Sequence, residues 1–318
     1  MQQAPPTTCS DASRRATRQA ASAIATRGLC KRYGRTRALE DLDLTIARGE
    51  VYGYLGPNGA GKTTTIRLLL GLHRPSGGHC ELFGIDSWRD PVAAHRHVAY
   101  VAGEPFLWPA LTAAETFAFL ASLRGGVDES YRTLLVERFQ LDPDRRVRAL
   151  SKGNRQKVQL IAAFATRADV LILDEPTAGL DPLMELAFRE TVGEARERGQ
   201  TLFLSSHILS EVEALCDRVG ILRAGRLVDE GTLAQLRHLR AHTVEVTFAG
   251  PAPRLQELAG VSVVEAGAST LRLEVTGSIG PLIAALAGHE VLALESREPS
   301  LEEIFLHHYE SADAHVGG

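Results

Sequence analysis

The chain has 318 residues, enough for two domains, and its 44% apolar and 23% charged content is that of a soluble globular protein. A net charge of −4 with no long basic run argues against nucleic acid as the main partner, because neutralising phosphates takes clustered Lys and Arg. Cys9, Cys30, Cys80 and Cys216 have no C-x-x-C spacing, which excludes a zinc or disulfide framework. No apolar run approaches the roughly 18 residues of a membrane span, and no signal-peptide segment opens the chain, so a cytoplasmic protein is expected.

Residues 1–22 are rich in Ala, Thr, Ser, Gln and Pro and carry Arg14, Arg15 and Arg18; they read as a disordered lead-in. Such a segment is either an organelle-type leader or a simple extension, and Asp11 favours the extension. Ile24–Thr26 and Ala38–Ile46 alternate apolar and polar residues and predict paired strands, with a turn at Lys31–Gly34. Within that turn Tyr33 reads either as a strand-end aromatic or as a face on which an adenine ring stacks.

Next, Gly56-Pro57-Asn58-Gly59-Ala60-Gly61-Lys62-Thr63-Thr64 fits G-x-x-x-x-G-K-[ST] between an apolar strand, Val51–Leu55, and a helix, Thr64–Leu70, that Gly71 caps. Glycines let the backbone N–H groups converge on a phosphate, and the helix N-terminus adds partial positive charge. Lys62 is placed to reach the terminal phosphates and the Thr63 hydroxyl to bind Mg²⁺, so a nucleoside triphosphate is the expected ligand.

Strands are expected at Gly77–Gly84 and Val98–Val101, the latter running into a loop at Ala102–Pro105. His95 and His97 read as surface residues. The stretch Leu111–Leu150 is mainly helical, with a capping box at Thr112 and Glu115, Phe117 and Phe119 in the core, and Arg145, Arg146 and Arg148 solvated. Leu150-Ser151-Lys152-Gly153-Asn154 opens a helix to Thr166; Ser151 is either a plain N-cap or part of an anion site.

Val170–Leu173 reads as a central strand buried on both faces, with Asp174 and Glu175 at its C-terminal end, where open α/β sheets place ligands. Asp174 suits Mg²⁺ and Glu175 suits accepting a proton from attacking water. Thr201–Ser206 repeats the arrangement and ends in His207, either a structural histidine or a second functional one. Short strands follow at Val219–Leu222 and Arg226–Val228.

Composition changes near 237–242. The order strand Thr243–Phe248, helix Arg254–Leu258, strands Val261–Val264 and Leu271–Val275, helix Pro281–Ala287 and strand Val291–Glu295 suits a ferredoxin-like unit, with a last helix at Ser300–Tyr309. It carries no catalytic constellation, and His307 and His308 read as a surface pair.

Together these motifs resemble the nucleotide-binding subunit of ATP-binding-cassette transporters over residues 23–236. The resemblance implies an α/β P-loop NTPase cassette with an antiparallel β subdomain and a helical subdomain, followed by a small α+β ferredoxin-like domain over 237–318. It assigns Leu150–Asn154 to the family's signature motif, Val170–Glu175 to the Walker B strand, Ala178–Asp181 to the turn after it, His207 to the switch histidine and Tyr33 to the adenine stack. ATP and Mg²⁺ are the implied cofactors. The implied assembly is a head-to-tail homodimer, each ATP lying between Gly56–Thr64 of one copy and Ser151, Gly153 and Asn154 of the other. In it Glu175 polarises water, His207 contacts the γ-phosphate and Asp181 couples the sites.

Two positions depart from the family. Gly103 stands where a Gln usually reaches Mg²⁺ and the membrane subunit, which leaves Glu104 as the candidate substitute ligand, and Lys152 and Asn154 stand where Gly and Gln are common. The final unit resembles the accessory domain of ATPases that serve separate drug- or antibiotic-export permeases. The leading expectation is therefore an Mg²⁺-dependent ATPase that drives a transmembrane permease in efflux, peripheral on the inner face of the cell membrane. The alternative is a soluble cassette ATPase acting on ribosomes or DNA, against which stand the single cassette and the absence of heptads. Residues 240–318 read as a regulatory sensor or a dimer brace.

Overall fold

The structure is a computed structural model that describes residues 22–238, 242–253, 258–297 and 301–303. The expected lead-in, the helix at Arg254–Leu258 except Leu258, most of Ser300–Tyr309 and the pair His307–His308 lie outside the described residues. The chain divides into two compact units, one ending at Val228 and one starting at Asp229.

In the first unit β1 (Ser22–Tyr33) and β2 (Thr36–Ala47) form an antiparallel hairpin. β4 (Gly77–Leu82) and β5 (Ile85–Asp86) extend it to a four-stranded antiparallel sheet in the order β2-β1-β4-β5. The hairpin turn falls at Gly34–Arg35, not at Lys31: β1 continues through Tyr33, which pairs with Thr36. Gly34 takes the left-handed φ of 57° that closes the turn.

The second sheet has six strands in the order β10-β9-β3-β8-β7-β6. They are β3 (Val51–Leu55), β6 (Val98–Val101), β7 (Val170–Asp174), β8 (Thr201–Ser206), β9 (Arg218–Arg223) and β10 (Arg226–Thr232). The pairs β3–β8, β3–β9, β6–β7 and β7–β8 are parallel. Every residue of β3, β7 and β8 is buried, as continuous apolar runs in a doubly covered sheet require. Tyr52, Tyr54 and Phe203 pack in the centre, with ring centroids 6.1 and 5.1 Å from Phe203; each such side chain contributes about 1.5–3 kcal/mol through burial.

Helix α1 (Lys62–Leu69) follows β3, and α2 (Pro91–His95) precedes β6. Between β6 and β7 stand α3 (Ala113–Arg124), α4 (Glu129–Arg138) and α5 (Lys152–Ala165), the helical subdomain. Thr112 and Glu115 make the expected capping box on α3. Phe117 is buried, but Phe119 is exposed and packs edge-on against Trp108 at 4.7 Å, contrary to its expected place in the core. Residues two apart on a helix lie about 200° apart, so both cannot face one core. Helix α6 (Pro182–Glu197) leads to β8, and α7 (Leu209–Leu215) packs on β3. A Cβ on Gly53 would lie 2.5 Å from Val212 Cγ1, so this contact needs glycine.

In the second unit, after α8 (Leu233–His238), come β11 (His242–Phe248), β12 (Val261–Ala266), β13 (Thr270–Val275), α9 (Gly280–Leu286) and β14 (Val291–Arg297). The strands lie in the antiparallel order β12-β13-β11-β14, the ferredoxin-like arrangement. Val244, Val246, Leu271, Leu273 and Leu282 form its core.

Candidate active site

Because β3, β8 and β7 are parallel neighbours, their C-terminal ends bring three loops to one edge of the sheet. The register aligns Leu55 with Ser206 and Asp174 with Ser205. The loop Gly56–Gly61 leaves β3 and enters α1 through Gly61, whose φ is 117°. A Cβ at Gly61 would lie 2.8 Å from the Ala38 carbonyl oxygen, and one at Gly56 would lie 2.7 Å from that of Leu222. No side chain caps α1, so its first N–H groups face the loop cavity as anion donors.

Lys62 is buried. Its Nζ donates to the carbonyl oxygens of Gly56 (2.6 Å) and Pro57 (3.3 Å) and lies 3.6 Å from Glu175 Oε1. Burial holds the Lys62 ammonium below its usual pKa, an effect that the charges of Glu175 and then Asp174 oppose. Thr63 Oγ1 donates to Asp174 Oδ2 at 3.2 Å. Asp174 also accepts a short hydrogen bond from Ser205 Oγ. A hydroxyl and a carboxylate side by side are hard oxygen ligands that suit a small divalent cation.

Glu175 follows β7 in a left-handed conformation, φ 46°, which costs about 1–3 kcal/mol in a residue with a Cβ. Its N–H donates to the Ser205 carbonyl oxygen at 3.0 Å, which holds the residue at the mouth of the sheet. Its Oε1 lies 3.2 Å from His207 Nδ1, an ion pair when the imidazole is protonated. Lys62, Thr63, Asp174, Glu175 and His207 thus form one cluster. The arrangement can hold phosphate oxygens, bind a cation and accept a proton from water.

The remaining sequence candidates lie apart from it. Tyr33 is exposed; its hydroxyl hydrogen-bonds His73 Nδ1 at 2.5 Å, and Lys31 Nζ lies 4.8 Å from its ring centre. Ser151 is the N-cap of α5, its Oγ accepting from the Asn154 N–H at 3.2 Å. Asp181 caps α6 by accepting from the N–H groups of Leu183 and Met184, each at 3.1 Å. Gly153 touches the turn after Glu175, where a Cβ would lie 2.2 Å from the Gly179 carbonyl oxygen. Glu104 is exposed, and the backbone of Gly103 before it lies beside Asp174.

Several polar side chains at the site escaped sequence reasoning. Ser205 serves both Asp174 and the Glu175 N–H (3.3 Å). Glu211 is buried on α7 and accepts hydrogen bonds from Thr177 Oγ1 and from Ser206 Oγ (3.0 Å). Ser206 Oγ in turn accepts from the Ile208 N–H at 2.9 Å, on the far side of His207. This brace ties the turn after Glu175 to the loop bearing His207. The only signal for it in the sequence was the polar ending of the β8 run.

Among the described residues no group of three or more His, Cys, Asp and Glu is placed to hold a metal. Cys30, Cys80 and Cys216 are free thiols, and burial pushes the Cys80 thiol up to about 12.

The sequence pattern of the ABC transporter family matches residues 39–178, and that of the DrrA1-3-like ATP-binding protein C-terminal domain matches residues 231–309. The chain is 36% identical over 307 residues to the daunorubicin resistance ATP-binding protein DrrA3 of Streptomyces coeruleorubidus, covering 90% of this chain and 95% of that one. It is 38% identical over 213 residues to the bacitracin transport ATP-binding protein BcrA of Bacillus licheniformis, covering 65% and 69%. A solved ATP-binding subunit of an ABC transporter superposes with a TM-score of 0.64 at 33% identity, over 68% of this chain and 92% of that one. A dimeric cassette bound to ADP and phosphate shares the fold, with a TM-score of 0.60 at 22% identity over 66% and 98%. The chain therefore belongs to the ATP-binding subunits of ABC transporters, in the export-type group with a DrrA-like C-terminal domain, and it is an ATPase.

Proposed function

We propose that two copies of this chain close head to tail on two ATP molecules and drive a separate membrane permease in the export of hydrophobic drugs or antibiotics. The cluster of Lys62, Thr63, Asp174, Glu175 and His207 carries the reading. Residues 56–64 of one copy hold the phosphates, with Lys62 on the terminal ones. Ser151, Gly153 and Asn154 of the other copy close the site, Asp181 couples the two sites, and Tyr33 stacks on the adenine. Ser151 and Asp181 cap their helices and so stand at element starts, and the Ser151 hydroxyl, which accepts in its cap, keeps a proton to donate to a second copy's nucleotide.

Thr63 and Asp174 would hold Mg²⁺, which would supply positive charge against the phosphates. Glu175 accepts the proton of the attacking water, and His207, oriented by Glu175, contacts the terminal phosphate. The cassette spans residues 23–236, and 237–318 form the accessory, regulatory unit. Relatives named for daunorubicin resistance and bacitracin transport support the cargo class.

No helix among the described residues is long and apolar enough to cross a membrane. In this reading a separate permease supplies the membrane-spanning part, and this chain is peripheral to the inner face. An apolar groove of about 320 Å³ lined by Tyr100, Phe106, Trp108 and Leu123 suits a permease segment; Phe106 is 96% exposed. The test is steady-state Mg²⁺-ATP hydrolysis by purified protein. Glu175→Gln keeps the shape of the side chain but not its basicity, and turnover is expected to vanish. Wild-type turnover in that variant removes Glu175 as the base.

A further inference from the structure

The loop after β6 passes beside the magnesium-binding carboxylate without a side chain of its own to hold it there. A Cβ on Gly103 would lie 3.2 Å from the Asp174 carbonyl oxygen and 3.8 Å from Asp174 Cγ. The strand ladder has ended at Val101, so the next backbone groups need other partners. Gln159 of α5 supplies them. Its Oε1 accepts from the Ala102 N–H at 3.4 Å, and its Nε2 donates to the Ala102 carbonyl oxygen at 3.2 Å.

The same Nε2 lies 3.4 Å from Gln156 Oε1. Gln156 is fully buried, and its Nε2 donates to the Pro176 carbonyl oxygen at 3.1 Å. Pro176 directly follows Glu175. The amide pair therefore runs from the residue before Gly103 to the residue after Glu175, and spans the carboxylate pair of the site. Gln159 also lines the apolar groove beside Tyr100 and Phe106.

We propose that Gln159, relayed by Gln156, is a positioning residue for hydrolysis: it fixes the Ala102–Gly103 loop against Asp174 and couples that loop to the turn bearing Glu175. The role needs a donor and an acceptor on one side chain, which a glutamine has and neither glutamate nor methionine has. The inference rests on the reading of Asp174 and Glu175 given above.

The experiment compares wild type, Gln159→Met, Gln159→Glu and Glu175→Gln in steady-state Mg²⁺-ATP hydrolysis, with ATP affinity measured by equilibrium titration and folding by thermal melting. Gln159→Met keeps the volume; kcat is expected to fall about tenfold or more, in the range of other outer-shell losses, while ATP affinity and the melting temperature hold. Gln159→Glu keeps the acceptor alone and falls between.

Wild-type kcat in both variants overturns the proposal, and so does a joint fall of kcat, affinity and melting temperature, which marks a structural residue only. Loss of turnover in Glu175→Gln with wild-type kcat in Gln159→Met refutes the relay alone; turnover retained in Glu175→Gln refutes the underlying reading instead. Amide hydrogen exchange on the wild type needs no variant: Ala102 N–H is expected to be protected, and exchange as fast as in an open loop overturns the clamp.

Discussion

Removing the Glu211 carboxylate tests whether the buried brace behind His207 holds the site together. Glu211 is 3% exposed and accepts hydrogen bonds from Thr177 and Ser206, themselves 5% and 2% exposed. Glu211→Ala deletes both bonds and leaves the buried Thr177 hydroxyl without its acceptor, at about 1–3 kcal/mol, and leaves Ser206 Oγ only its longer 3.4 Å bond to the Ile208 carbonyl oxygen. With the packing lost around the deleted stem, the total is about 3–5 kcal/mol, a large part of the 5–15 kcal/mol that stabilises a domain. Glu211→Gln keeps the volume and one carbonyl acceptor, and its cost is about 1 kcal/mol.

Urea denaturation followed by tryptophan fluorescence reads this directly, because Trp88 and Trp108 are the only tryptophans and both lie in the unit ending at Val228. At about 2–3 kcal/mol per molar urea the alanine variant is expected to lose on the order of 1–2 M in midpoint, and the glutamine variant under about 0.5 M. An alanine variant that melts within about 0.5 M of wild type refutes the brace. Equal losses in the two variants refute the assignment to hydrogen bonding.

Other outcomes follow from single residues. Gly61→Ala forces a Cβ into φ 117° and to 2.8 Å from the Ala38 carbonyl oxygen, so ATP binding by equilibrium titration is expected to be lost, whereas Gly59→Ala, strained at φ 83° but with nothing within 4 Å of its Cβ, retains more of it. A hydrogen bond from Arg138 holds the Glu194 carboxyl below its usual 4.5, against the opposing effect of burial. Its contribution is therefore complete above that value and disappears as pH falls through the lower folded value. Glu194→Gln is expected to lower the melting temperature at pH 7 and to converge with wild type in strong acid; an equal deficit at both pH values contradicts the assignment.

The parts legible in the sequence were those in which one short stretch dictates its own environment. Val170–Leu173 had to be a doubly buried strand, and Gly56–Thr63 had to be a strand-to-helix loop, because composition and glycine positions leave few other conformations. Thr112 and Glu115 find each other within one turn. The illegible parts depend on partners that meet only in the fold: Gln159 clamps Ala102 from 57 residues away, and Thr177 reaches Glu211 across 34. Glu211 is buried although its residue type predicts a solvated helix face, because two hydroxyls are brought to it. Phe119, an aromatic in a helical stretch, is expected in the core, but helical geometry turns it away from Phe117.

The central claim is that ATP joins two copies of this chain across sites that each copy only half supplies. It is tested most directly by the mass of the Glu175→Gln protein in solution, by light scattering behind size-exclusion chromatography, with and without Mg²⁺-ATP. A species of 34.4 kDa is expected without nucleotide and one of about twice that mass with it, with no shift once Ser151→Arg is added. A mass that stays at 34.4 kDa under saturating Mg²⁺-ATP, or a dimer equally populated without nucleotide, contradicts it.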